Sequence, residues 1–199
     1  MTYLKTLVDQ AAALGARNVV GPVYSVVGRV GAFTAAERKK EWSTVVKNLK
    51  VLCKYAEAKG VFICLEPLNR FETNFINTVD QALKMLKDVK SPALKLMLDT
   101  FHMNIEEKCQ GDAIRRAGKA IGHLHACGCD RGTPGNDHID WECIAKALKA
   151  VKYDGPVVIE SFTQDVKIIA AAAAIWRQIE PSREEIATKG VKFLRKTLK

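Results

Sequence analysis

The chain has 199 residues, 48% of them hydrophobic, which is enough to bury one sizeable core and predicts a single globular domain. No apolar run reaches the roughly 18 residues of a membrane span, and no signal-peptide pattern opens the chain, so we expect neither a membrane partner nor export. The formal net charge of +9 predicts a solvated basic surface and not a nucleic-acid site, because the excess is diffuse apart from five basic residues near the C-terminus: Lys189, Lys192, Arg195, Lys196 and Lys199.

The cysteines indicate a reducing compartment, and we expect a cytoplasmic protein. They are scattered instead of forming a disulfide framework: Cys53, Cys64, Cys109, Cys127, Cys129 and Cys143. The Cys127-Gly128-Cys129 motif could suggest structural zinc, but the chain has no second closely spaced cysteine pair to complete such a site.

The first third of the chain predicts a helix, a strand and a second helix. Apolar residues recur on one helical face before the stop signal Gly15: Leu4, Leu7, Val8 and Ala11. A short strand follows over 18–22. The capping box Thr34-Ala35-Ala36-Glu37 then begins a long helix that Gly60 ends.

The rest of the chain alternates strands with helices. Strands are predicted over 61–66, 94–99, 121–126 and 157–161, and helices over 78–89, 111–119, 141–151, 164–178 and 183–197, the last begun by the capping box Ser182-Arg183-Glu184-Glu185. Five strands alternating with helices predict a parallel sheet. A complete (β/α)8 TIM barrel has eight strands and about 250 residues, so the chain is interpreted as the last five strand–helix units of one.

Four side chains that can bind a metal ion lie where predicted strands end. Glu66, Asp99, His125 and Glu160 each follow an apolar run, and the carboxyl ends of parallel strands converge at one mouth of a barrel. Alternation along the strands also places Cys64 with Glu66 and His123 with His125 on one face. Three carboxylates and one imidazole predict a pocket for a hard divalent cation. The alternative is that each acid only caps the next helix or is solvated in a loop.

Separated motifs resemble a known family. They are Leu65-Glu66-Pro67-Leu68-Asn69-Arg70-Phe71-Glu72, the stretch 98–107 (LDTFHMNIEE), Gly122-His123-Leu124-His125 with Arg131 six residues on, Gly21-Pro22-Val23-Tyr24-Ser25 and Ile159-Glu160-Ser161-Phe162. Together they resemble the ketose 3-epimerases (D-tagatose, D-allulose or psicose, and L-ribulose 3-epimerases) of the xylose-isomerase-like TIM-barrel superfamily. The resemblance covers residues 1–199 as one domain that lacks about three N-terminal strand–helix units.

The resemblance implies an isomerase that inverts C3 of a free ketose through an enediolate. It implies that the metal ligands are Glu66, Asp99, His125 and Glu160, holding manganese in the first instance, with magnesium or cobalt as alternatives. It also implies that Glu66 and Glu160 exchange the C3 proton from opposite faces. The residues that grip the C1–C3 end of the sugar would be Glu72, His102 and Arg131.

The residue types suit this chemistry on their own account. A carbon beside a ketone loses its proton readily only when the carbonyl oxygen is polarised, which a bound cation does as a Lewis acid. Two carboxylates flanking that carbon can then act as base and acid. Arg131 and His102 are available to offset the negative charge that develops. An oxygen-rich ligand set favours Mn²⁺ or Mg²⁺ over zinc.

Other interpretations remain open from the sequence. The same metal and carboxylates could serve a sugar or hydroxypyruvate isomerase that moves the carbonyl, or the chain could be an inactive metal-binding fragment. A nuclease of the endonuclease IV type would need a histidine-rich zinc cluster, and the chain has only His102, His123, His125 and His138.

The candidate substrate residues also have simpler explanations. Arg131 could be solvated in its loop, Glu72 could pair with Arg70, and His102 could cap the segment after Asp99. His123 is assigned to interior packing, and the three tryptophans to the core: Trp42, Trp141 and Trp176. Because an open barrel leaves two unpaired sheet edges, we expect a homo-oligomer.

Overall fold

The computed structural model describes residues 1–198, so the basic residue Lys199 lies outside the described part of the chain. Its frame is a parallel sheet with strand order β1-β2-β3-β4-β5. The strands are β1 (Asn18–Gly21), β2 (Phe62–Leu65), β3 (Leu94–Asp99), β4 (Ile121–His125) and β5 (Val157–Val158). The predicted alternation, and with it the partial (β/α)8 barrel, is confirmed.

The helices follow the strands in the predicted order with two differences. They are α1 (Thr2–Ala13), α2 (Ala35–Glu57), α3 (Val79–Val89), α4 (Thr100–Glu106), α5 (Gln110–Ala117), α6 (Trp141–Ala150), α7 (Lys167–Ala172) and α8 (Arg183–Thr197), with a 3-10 turn at Gly118–Ala120. Helix α4 was not predicted. Helix α7 is much shorter than the predicted 164–178, because the backbone turns left-handed at Ala174. Trp176, which lies beyond it, is 74% exposed and not in the core.

Local signals in the sequence account for most helix ends. Thr34 and Glu37 form the predicted capping box of α2, and Gly60, after that helix, has a φ of 68° that favours glycine. For α8 only half of the predicted box forms. The Ser182 hydroxyl accepts from the Glu185 N–H, while the Glu185 carboxylate pairs with Lys189 instead of reaching back.

The sheet is curled and packed on both faces. Ile63, Leu65 and Leu124 are fully buried under the helices. On the inner face, the Asn18 amide of β1 donates to the Gly122 carbonyl of β4 at 2.9 Å, although two strands lie between them in the sheet. Gly122 permits this curl because an added Cβ there would lie 2.9 Å from the Cys64 sulfur.

The β5 edge is short and partly open. Only Val157 and Val158 form strand bonds, against a predicted strand of 157–161, and among the described residues β5 has a neighbour on one side only. Their exposed fractions are 38% and 41%. A largely apolar groove of about 960 Å³ lies between this edge and α8. Among residues 1–198, no helix is both long and apolar enough to cross a membrane.

Candidate active site

Four strand ends bring one imidazole and three carboxylates together. Asp99 and His125 are the last residues of β3 and β4 and are register partners. Glu66 directly follows β2, and Glu160 lies two residues beyond β5. One ligand atom of each residue lies within 4.8 Å of the ligand atoms of the other three. Glu66, Asp99 and His125 are buried, and Glu160 is partly exposed.

The donor set fits a divalent cation. His125 Nδ1 lies 3.5 Å from both Asp99 Oδ2 and Glu160 Oε1, which is longer than a normal N–H···O bond. This nitrogen and Glu66 Oε1 are buried without any hydrogen-bond partner. Unpartnered buried polar atoms are costly, and a cation at their centre would satisfy them. These four residues could therefore hold a metal ion.

Crowding of the acids shifts their protonation. Burial raises the pKa of Glu66 well above its ordinary value, and the charges of Asp99 and Glu160 raise it further. Burial and Asp99 likewise raise the pKa of Glu160. Burial opposes ionisation of Asp99 as well, but His125 and His102 outweigh it and lower the Asp99 pKa. Without a cation, the negative charge of the cluster is therefore electrostatically unfavourable in the folded protein.

Asp99 serves two neighbours with its two oxygens. Its Oδ1 caps α4 by accepting from the Phe101 N–H at 2.7 Å. Its Oδ2 faces His125 and accepts from the Cys127 thiol at 3.4 Å. The alternative that a strand-end acid caps the next helix is thus realised here, and it leaves the second oxygen directed at the cluster.

Arg131 is buried beside the cluster and not solvated. It is 4% exposed, and its backbone has a left-handed φ of 65°. Its Nη1 lies 3.0 Å from Glu72 Oε1, and its guanidinium stacks 4.2 Å from the ring centroid of Phe101. The suggested pairing of Glu72 with Arg70 does not occur, because Arg70 pairs with Glu106 at 3.0 Å.

Asn69, which the sequence reasoning did not single out, joins two candidate substrate residues. Its side-chain amide donates to Glu72 Oε1 at 3.0 Å and lies 3.0 Å from His102 Nδ1. Its backbone N–H donates to the same His102 nitrogen at 3.0 Å. The only signal for this role was its position inside the Glu66–Glu72 motif.

The Asn69 contacts define the protonation of His102. Because Nδ1 accepts, the ring proton of the neutral imidazole lies on Nε2. Burial lowers the His102 pKa, which favours this neutral form. Nε2 lies 3.6 Å from Glu66 Oε1 and 3.4 Å from Arg131 Nη2. His102 thus presents a donor beside the acid cluster and is not a helix cap.

One cavity of about 170 Å³ collects these groups. Five of the seven predicted site residues line it: Glu66, Glu72, His102, Arg131 and Glu160. Its apolar walls come from loops after β1 and β2 and from α7: Pro22, Val27, Leu68, Ile169, Ala172 and Ala173. The sequence reasoning missed these walls. The cavity combines three carboxylates, a cationic donor and a neutral donor, which suits proton transfer on a small polar molecule.

Two neighbouring features lie outside the cluster. His123 is half-buried below His125, with ring centroids 5.1 Å apart, and is not one of the four converging residues. Cys127 points at Asp99, and neither Cys127 nor Cys129 belongs to a group of metal-ligating side chains within residues 1–198.

Comparison with known proteins agrees with the motifs. Residues 1–197 match the family described as xylose isomerase-like TIM barrel. A probable ketose 3-epimerase from Synechocystis sp. is 38% identical over 99% of this chain and 68% of its own length. A D-psicose 3-epimerase from Ruminiclostridium cellulolyticum is 42% identical over 75% of this chain and 51% of its own length.

A solved structure shows the same fold at high similarity. The D-psicose 3-epimerase with D-tagatose from Clostridium cellulolyticum has a TM-score of 0.91 and 35% identity, covering 100% of this chain and 70% of that one. The chain thus spans between about half and 70% of the length of these relatives. It belongs to the xylose isomerase-like TIM barrel family and, within that family, to the ketose 3-epimerases, which are isomerases.

Proposed function

We propose that this protein catalyses metal-dependent epimerisation at C3 of a free ketose. The observation that carries the proposal is the placement of Glu66 and Glu160, two carboxylates of elevated pKa, in one cavity with the Arg131–Glu72–His102 group. Relatives named for D-psicose and L-ribulose support this class of substrate.

Glu66 and Glu160 exchange the proton of C3. One carboxylate removes the proton and leaves an enediolate, and the other returns a proton to the opposite face, so that only the configuration changes. An elevated pKa suits both residues, because each must be a base in one direction and an acid in the other.

The second group of residues orients the sugar. Arg131 and the Nε2–H of His102 donate to oxygens at the C1–C3 end, and Glu72 accepts from a hydroxyl. Asn69 and Phe101 hold these side chains in place.

We propose Mn²⁺ as the resident cation, with Mg²⁺ or Co²⁺ as alternatives, held by Glu66, Asp99, His125 and Glu160. When bound, such an ion supplies Lewis-acid polarisation of the carbonyl oxygen. The oxygen-rich donor set supports manganese or magnesium over zinc.

Product analysis tests the proposal. Mn²⁺-loaded protein is incubated with D-fructose, D-tagatose and L-ribulose, and the products are identified by chromatography and NMR. C3 epimers are expected. When the incubation is repeated in D2O, these products should carry deuterium at C3. Glu160→Gln is expected to lose this activity. Aldose products would favour the isomerase alternative, and tight Mn²⁺ binding without turnover would favour the inactive fragment.

We further propose that residues 1–199 form a single domain and that the protein works in the cytoplasm as a homo-oligomer. The open β5 edge and the apolar groove beside α8 support this, since unpaired edges and wet apolar surface favour association. The chain is therefore expected to self-associate. A monodisperse monomer in light scattering that also unfolds cooperatively and is fully active would contradict this.

A further inference from the structure

Two partly exposed thiols meet where α5 packs on α6. Cys109 is the N-cap residue of α5, and Cys143 lies in the first turn of α6, 34 positions away. Their sulfurs are 4.0 Å apart. Gly111 permits this approach, since an added Cβ there would overlap the Cys143 sulfur. The sulfurs need to move by about 2 Å to reach the S–S bond length of about 2.05 Å.

We propose that Cys109 and Cys143 form a reversible intramolecular disulfide that links α5 to α6. Of the other cysteines, Cys53, Cys64 and Cys127 are buried and Cys129 is partly exposed. The pair is therefore set apart by having both a partner and access to solvent. The proposal does not depend on the sugar chemistry proposed above.

The oxidant is a low-molecular-weight disulfide such as oxidised glutathione. Cys109 loses its proton and attacks one sulfur of the oxidant, which releases one thiolate. Cys143 then loses its proton and attacks the Cys109 sulfur of the mixed disulfide, which releases the second thiol. Burial raises the pKa of Cys143, so the second, intramolecular step is favoured by the 4.0 Å distance between the two sulfurs and not by the acidity of this thiol. The protein loses two hydrogens, and the oxidant gains them.

The cross-link would join the two segments that carry candidate substrate residues. Next to Cys109, the Gln110 amide donates to the Thr100 carbonyl, directly after Asp99. On the other side, Asp140 accepts from the Cys143 N–H and ends the loop that carries Arg131. The disulfide would therefore link the segment that follows β3 covalently to the segment that follows β4.

Peptide mapping can test this sharply. Cleavage after Lys and Arg places Cys109 in peptide 109–115, Cys143 in 132–146, and Cys127 with Cys129 in 120–131. The full chain is treated with oxidised glutathione, alkylated, digested without reductant and analysed by mass spectrometry. We expect peptide 109–115 linked to 132–146, at a mass two hydrogens below their sum, with loss of the link after dithiothreitol. The oxidised protein should also unfold at a higher temperature than the reduced one.

Variants separate this pair from general thiol reactivity. Cys143→Ser should stop the reaction at a glutathione adduct on Cys109, whereas Cys129→Ser should leave the cross-link unchanged. The proposal is overturned if wild-type protein keeps stable glutathione adducts at Cys109, if the link joins two chains, or if it involves peptide 120–131.

Discussion

Replacing Glu66 by glutamine should stabilise the metal-free protein and remove its tight cation site. The residue as a whole is 5% exposed, and one of its carboxylate oxygens has no hydrogen-bond partner. Glutamine has nearly the same shape but carries no charge. The change therefore tests whether clustering the acids to bind a cation lowers the free energy of unfolding of the metal-free protein.

The magnitude follows from the geometry. Two unit charges 4.8 Å apart repel by about 3.5 kcal/mol at an effective dielectric constant of about 20. Glu66 is repelled by Asp99 and Glu160 and attracted by Arg131. With part of the repulsion offset by Arg131, we expect Glu66→Gln to raise the free energy of unfolding by about 1–3 kcal/mol near neutral pH.

The gain should depend on pH. The folded state raises the Glu66 pKa, so below its ordinary pKa the residue is protonated in both the folded and the unfolded protein. In that range Glu66 makes its full favourable contribution to the free energy of unfolding, and this contribution is lost as the pH rises through the elevated pKa. The advantage of the variant should therefore be small in acid and grow with rising pH.

Urea denaturation of wild-type and variant protein measures this, first with chelator and then with excess Mn²⁺. Wild type should gain about 2.7 kcal/mol when Mn²⁺ is present at about a hundred times its Kd, and the variant should gain little. Glu57→Gln, at an exposed position at the end of α2, is the control and should behave as wild type. A metal-free Glu66→Gln protein that is less stable than wild type near neutral pH would refute the reasoning.

Three further predictions concern individual roles. Asp99→Ala should abolish high-affinity Mn²⁺ binding in calorimetry, and unchanged affinity would remove Asp99 from the ligand set. Arg131→Ala and His102→Ala should keep Mn²⁺ but lose epimerisation, and loss of metal in both would show that they belong to the ion site. Asn69→Ala removes side-chain contacts to Glu72 and His102, and at about 1 kcal/mol each this predicts a 10- to 30-fold fall in kcat/KM. The His102 tautomer, read by ¹⁵N NMR, should stay the same because the Asn69 backbone N–H still donates to Nδ1. The Mn²⁺ affinity of this variant should also be unchanged, and a fall in that affinity would contradict a positioning role.

The convergence of the four strand-end residues could be predicted because it depends on local patterns. Buried parallel strands appear as short apolar runs, and parallel pairing fixes which ends meet. Asp99 and His125 are register partners for this reason. The roles of the four residues stay predictions, since geometry alone does not measure binding.

The contacts between loops could not be predicted, because each partner is specified by tertiary packing. Glu72 has Arg70 two positions away, yet it pairs with Arg131. Helix α4 has only seven residues, too few to show a helical period, and its start depends on Asp99 as N-cap. In α7, an alanine-rich run predicts a long helix, but the left-handed turn at Ala174 cuts it short.

Glu160 connects the candidate site to the open edge of the sheet. Glu66, Asp99 and His125 extend from strands that have a partner on each side, whereas Glu160 follows a two-residue strand with exposed valines. Its side chain is 25% exposed, against 6% for Glu66 and none for Asp99. Burial strengthens charge interactions because it lowers the local dielectric response. A strand or partner that covers β5 would therefore bury and fix Glu160, so closure of the sheet and completion of the cation site should be energetically coupled.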